Sequence, residues 1–90
     1  MGLEKHKEKS STQDQVAMLK NIVVYNDDVN TFEHVIECFM TILGHDLERA
    51  TKSAYTIHFK GKCDVKSGTY EELEPYALKL LNEKLSAKIE

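Results

Sequence analysis

The sequence predicts an α/β two-layer sandwich in the order β-α-α-β-α-β, with a three-stranded antiparallel sheet under three helices. Three observations predict it. Residues 21–25 form a β-branched and aromatic run that ends in turn-forming residues. Three later segments carry apolar residues at helical spacing. Residues 62–66 and 85–89 each alternate apolar with polar, as half-buried strands do. Helices and strands in this order bury their apolar sides against each other as two layers. One sheet face and the loops at the strand ends are then left for binding.

The first strand, Asn21-Ile22-Val23-Val24-Tyr25, is followed by Asn26-Asp27-Asp28. Asn30 and Glu33 then supply an N-cap and an acid three residues on, a variant of the capping box. Phe32, Val35, Ile36, Phe39, Met40 and Leu43 follow at steps of three and one, so the first helix has one apolar stripe and stops at Gly44. Asp46 caps a second helix that runs to about residue 59, turns Leu47, Ala50, Ala54, Ile57 and His58 inward, and ends at Gly61. The second strand covers 62–66 and closes at Ser67-Gly68. Thr69 and Glu72 form a capping box for a third helix carrying Leu73, Ala77, Leu80 and Leu81. Pro75 removes a backbone donor and crowds the preceding turn, so regular helix is expected only from about Glu74. Residues 85–89 give the last strand.

Ninety residues support one small core, and 41% hydrophobic with 30% charged residues is a globular composition. Residues 1–18, rich in Lys, Glu, Ser and Gln, are expected to be a flexible extension, with the folded core over 19–90. The net charge of −3 and the lack of a clustered basic face argue against nucleic acid as a partner. No apolar run approaches the roughly 20 residues of a membrane-spanning helix, so a cytoplasmic, monomeric protein is expected. Cys38 and Cys63 lie in no CxxC pair and are expected to be reduced.

The densest polar feature is Asn26-Asp27-Asp28. A structural turn needs only one Asn or Asp, and two adjacent carboxylates repel each other, so the pair suits a cation. A protein α-ammonium, with three donors and a pKa of about 7.7–8, is one such cation. The bland alternative is an ordinary polar loop, and His58 alone reads equally well as a helix-end residue favoured by the dipole. A Cys/His enzyme is a third reading: His34 and Cys38 are four apart on a helix, but no glycine-rich oxyanion turn lies nearby. Zinc-type ligand spacings, Walker loops and dinucleotide fingerprints are absent, so no metal, no cofactor and no catalytic residue is expected.

These residues, taken together, resemble the ClpS family of Clp protease adaptors. The resemblance rests on Ile22-Val23-Val24-Tyr25-Asn26-Asp27-Asp28, Glu33-His34-Val35-Ile36, Asp46-Leu47-Glu48-Arg49-Ala50-Thr51 and Ile57-His58-Phe59-Lys60-Gly61-Lys62, with no gap between the acidic loop and His58. It extends over about residues 19–90 and implies a fold shared with the C-terminal domain of the ribosomal L7/L12 stalk protein. It also implies an adaptor that binds N-degron proteins by a free α-amine and a large hydrophobic first residue. The adaptor would dock on the N-terminal domain of a Clp AAA+ unfoldase and deliver them to that unfoldase-protease. The alternative is a module of the same fold that docks on an assembly without reading N-termini.

Carried over, Asn26, Asp28 and His58 contact the amine, and Asp27 holds the adjacent backbone. The side-chain pocket falls on Asn30, Phe32, Val35, Ala54, Ile57 and Leu85, and the docking surface on Glu71 and Glu74. Two pocket positions depart from the commoner family pattern, which has methionine where Phe32 and Ala54 stand. A lysine frequent on the family's docking helix has no counterpart here.

Overall fold

The computed structural model of the protein describes residues 18–90. All but the last residue of the expected extension, 1–18, lies outside the described residues. The predicted order holds: β1 (Leu19–Tyr25), α1 (Phe32–Thr41), α2 (Leu47–Lys60), β2 (Lys62–Thr69), α3 (Tyr70–Asn82) and β3 (Ser86–Ile89). The sheet is antiparallel with β1 in the middle, in the order β2-β1-β3. Among the described residues no helix is long and apolar enough to cross a membrane.

Ile22 and Val24 point from β1 into the helix layer, where Phe39 from α1, Ala50 and Ile57 from α2, and Leu73 and Leu80 from α3 meet them. Phe39 is fully enclosed, and a buried aromatic contributes a large apolar area to a core this small. Central position explains why β1 is the most apolar strand: both its edges are paired and its inner face is covered.

The local details correct several sequence expectations. Thr31, not Asn30, caps α1, its hydroxyl accepting from the His34 amide at 3.2 Å. Asn30 is instead held by Asp27 and the Lys84 carbonyl, while Thr31, also a favoured cap residue, sits one residue nearer the helix. The helix ends at Thr41, and Gly44, at φ 72°, turns the chain after it. Met40 and Leu81 are exposed, and Leu47 is 60% exposed, because the core-facing stripes are narrower than the apolar patterns. The strand β2 runs through Ser67-Gly68 to Thr69. A bulge explains this: pairing skips Val65 between Ile22 and Val23, so Val65 stays buried while the ladder continues past it.

The helix α3 is regular from Tyr70 despite Pro75. Pro75 and Glu71, whose carbonyl loses its helical partner, are both exposed residues, which lowers the cost of the missing bond. The capping box of Thr69 and Glu72 forms as expected, with bonds of 2.9 and 3.2 Å. Lys84, left-handed at φ 71°, leads into Leu85, which is buried just before β3 rather than within it. Asp46 caps α2, and Gly61, at φ 92°, ends it, as read from the sequence.

Candidate functional site

The loop after β1, the start of α1 and the last two turns of α2 enclose an open cleft of about 380 Å³. Its position follows from two backbone bonds. The Gly61 amide closes α2 on the Ile57 carbonyl at 2.8 Å, and the Gly61 carbonyl accepts from the Asn26 amide at 2.9 Å. The acidic loop is therefore stapled to the helix end that carries His58.

Asp27 organises the loop. Its Oδ1 accepts from the Val29 and Asn30 amides, both at 3.0 Å, and its Oδ2 accepts from Asn30 Nδ2 at 2.9 Å and Ser86 Oγ at 3.2 Å. This is an Asx turn extended to a neighbouring strand. Burial acts to raise the Asp27 carboxyl, but the bonds from Asn30, Val29 and Ser86 outweigh it and hold the group below the usual carboxylate range. Asn30 Nδ2 also donates to the Lys84 carbonyl at 2.9 Å, which ties the loop to the turn before β3.

Asp28 and His58 are exposed on the cleft wall, as is Asn26. Among the described residues, their side chains make no hydrogen bond within the protein. They are thus presented, whereas Asp27 is consumed. The His58 ring stands edge-on to Phe32 at 5.2 Å and to Phe59 at 5.0 Å. Among the described residues, three carboxylates line the cleft, those of Asp27, Asp28 and Glu33, and no lysine or arginine does.

The apolar part of the cleft is Phe32, Val35, Ala54 and Ile57. Val35, Ile57 and Asn30 also line a smaller recess behind it, where Leu85 closes the base. Phe32, expected on the inward stripe, is 37% exposed and forms a rim instead of a core residue. It packs against Tyr55 at 5.0 Å, and Tyr55 stacks on Phe59. Nine of the ten residues expected at the amine site and pocket therefore line one concavity, and the tenth, Leu85, lines only the smaller recess behind it. The sequence reading missed Thr31 and Glu33 on its wall and Tyr55 behind Phe32. The signal for Tyr55 was present, since Tyr55 and Phe59 are four apart and flank His58.

Glu71 and Glu74 stand apart from this cleft, both exposed on α3. Glu74 borders a second concavity of about 350 Å³ between α3 and β3, with Tyr70, Leu78 and Leu81. The His34 and Cys38 side chains do meet, with Sγ 3.6 Å from Nε2. Burial, then the charges of Glu83 and Glu37, pushes the Cys38 thiol up to about 11, so it lacks the thiolate character of a nucleophile. His45 is buried elsewhere, against Phe39, where burial together with Arg49 and Lys66 lowers its pKa.

A family model described as ATP-dependent Clp protease adaptor protein ClpS matches residues 15–88. Similar curated proteins carry the name ATP-dependent Clp protease adapter protein ClpS. The one from Streptomyces avermitilis is 42% identical over 52 residues, which cover 58% of this chain and 50% of that protein. The one from Corynebacterium diphtheriae is 36% identical over 70 residues, 73% of this chain and 62% of that protein. The one from Synechocystis is 36% identical over 66 residues, 72% of this chain and 67% of that protein. The chain spans about half to two thirds of the length of these relatives.

Proposed function

The chain belongs to the ClpS family, and from that membership we propose that it is an adaptor reading the first residue of N-degron substrates and delivering them to a Clp AAA+ unfoldase-protease. The observation that carries the reading is the cleft's lining, with three carboxylates, one imidazole, no lysine or arginine among the described residues, and an apolar floor in one concavity. Such a lining suits a ligand with a cation at one end and a large hydrocarbon group beside it. The α-ammonium and side chain of a protein's first residue have that form.

In this reading Asn26 Oδ1, the Asp28 carboxylate and a neutral His58 ring nitrogen accept from the ammonium. Asp27 holds the turn that positions them. Asn30, Phe32, Val35, Ala54, Ile57 and Leu85 receive the side chain. A cleft of about 380 Å³ sits at the low end of the roughly 300–1,000 Å³ common to small-ligand sites, which suits a single residue. Phe32 narrows the rim where methionine is commoner in the family, while Ala54 opens the floor, so the cavity is deeper and stiffer-lipped.

The face of α3 bearing Glu71 and Glu74 would dock on the N-terminal domain of the unfoldase, with Tyr70 and Leu78 as apolar contacts beside them. The protein works as a non-catalytic, monomeric adaptor in the cytoplasm, without a cofactor.

Titration with peptides differing only in residue one tests the reading. Peptides starting with Phe, Leu, Tyr or Trp should bind, and those starting with Asp or Lys should bind at least tenfold more weakly, since burying an unpaired charge on the apolar floor is costly. Equal affinity across the panel would favour a docking module that does not read N-termini.

A further inference from the structure

We propose that His34, Cys38 and Glu83 form a binding site for a borderline-soft divalent cation, of which zinc is the best fit. Among the described residues, this is the one group of three His, Cys, Asp or Glu side chains whose ligand atoms converge, all within 4.8 Å of one another. It lies outside the cleft lining, and its assignment stands whether or not the cleft reads amines.

Geometry supplies the case. Zinc bonds of about 2.3 Å to sulfur and about 2.0–2.1 Å to nitrogen, at a tetrahedral angle, put those two ligand atoms about 3.6 Å apart. Cys38 Sγ and His34 Nε2 are 3.6 Å apart. The Glu83 carboxylate approaches Nε2 to 3.9 Å, within a few tenths of an ångström of the roughly 3.4 Å that a tetrahedral N–Zn–O angle requires. Glu83 is exposed and can close that distance by rotating its side chain. His34 and Cys38 are one turn apart on α1, so the helix holds both on one face. A fourth position is left for water or for the Glu83 carbonyl, which now lies 2.8 Å from Nε2.

Binding exchanges bonds in a balanced way. The Cys38 S–H proton goes to solvent as the metal–sulfur bond forms. His34 gives up the bond it donates from Nε2–H to the Glu83 carbonyl, its proton passing through solvent to Nδ1, so that the Nε2 lone pair is free for the metal. The metal would join α1 to the turn 83–84, whose Lys84 carbonyl holds Asn30 and whose next residue, Leu85, closes the recess behind the cleft. The site is therefore a structural clamp on the cleft's back wall. Its sequence signature is faint because Glu83 is 45 residues beyond Cys38 in the chain.

The test is titration of the full, reduced chain with Zn²⁺ alone, and with Co²⁺ to reveal a thiolate-to-metal absorption band. One equivalent should bind, with the band lost in Cys38→Ser and Cys38→Ala and retained in Cys63→Ser. Glu83→Gln, an exposed change that leaves the fold intact, should weaken Zn²⁺ binding by roughly tenfold or more, and His34→Gln by roughly 100-fold. No thiolate band in the wild-type chain, a band that survives loss of Cys38, or unchanged affinity in Glu83→Gln would each overturn the assignment.

Discussion

Acetylating the α-amine of a peptide that begins with phenylalanine is expected to weaken its binding by roughly two to four powers of ten. Acetylation removes the charge and two of the three donors while leaving the side chain untouched. Each charge-assisted bond contributes about 1.5–3 kcal/mol, and two lost bonds amount to about 3–6 kcal/mol. At about 1.4 kcal/mol per factor of ten, that range gives the expected loss. Asp28, Asn26 and His58 have no competing partners among the described residues, so none of those residues would compensate them. The same logic sets a pH limit on the ligand side: affinity should fall as pH rises through the amine pKa of about 7.7–8. Calorimetric titration of the free and acetylated peptides measures both effects.

The second large effect separates the two adjacent acids. Asp27→Ala is expected to lower stability by about 2 kcal/mol, because it strips partners from the Val29 and Asn30 amides, the Asn30 side chain and the Ser86 hydroxyl. In a domain of this size that corresponds to a melting point lowered by about 10 °C. Ligand affinity should fall too, since Asn26 and Asp28 lose the turn that aims them. Asp28→Ala, by contrast, should change stability by less than about 0.5 kcal/mol, as surface substitutions do. Its affinity for an amine-bearing peptide should still drop more than tenfold, about the cost of one charge-assisted bond. Asp27 also confers acid sensitivity. Its folded pKa lies below the unfolded value of 3.8, so its contribution is complete above that value and is lost as pH falls through the folded one. Thermal melts of the two variants, each with and without peptide, distinguish a turn-holding acid from a ligand-holding one.

Much of the fold was legible because local and global preferences agree in this chain. Caps at Asp46 and Thr69, the stop at Gly61 and the β-branched run of β1 all act through neighbouring residues, so spacing alone reveals them. What escaped depended on partners distant in sequence. The length of β2 is set by pairing with Leu19 to Ile22 across a bulge at Val65, and no pattern within β2 announces it. Pro75 reads as a helix breaker, but Glu71 and Pro75 are exposed, so no buried polar group is stranded by the lost bond and the helix runs through.

The candidate site divides in the same way. The polar half was legible because Asn26-Asp27-Asp28 is an uneconomical turn, with more carboxylate than a turn needs. Which of the two acids is spent on the loop could not be read from spacing. It is decided by Ser86 and by the Asn30 link to Lys84, both supplied from the far end of the chain. The apolar half was harder. Phe32 lies on the helical stripe like any core residue, and only the position of Tyr55 and His58 on the facing helix turns it into a rim.

The most direct measurement is a nuclear magnetic resonance titration of the full chain with a peptide that starts with a free phenylalanine. The cleft account predicts the largest shifts at Asn26, Asp28, Ile57 and His58, with the His58 ring resonances moving in step with saturation. Shifts confined to the α3 face around Tyr70, Glu74 and Leu78, with the cleft resonances unmoved, would contradict it.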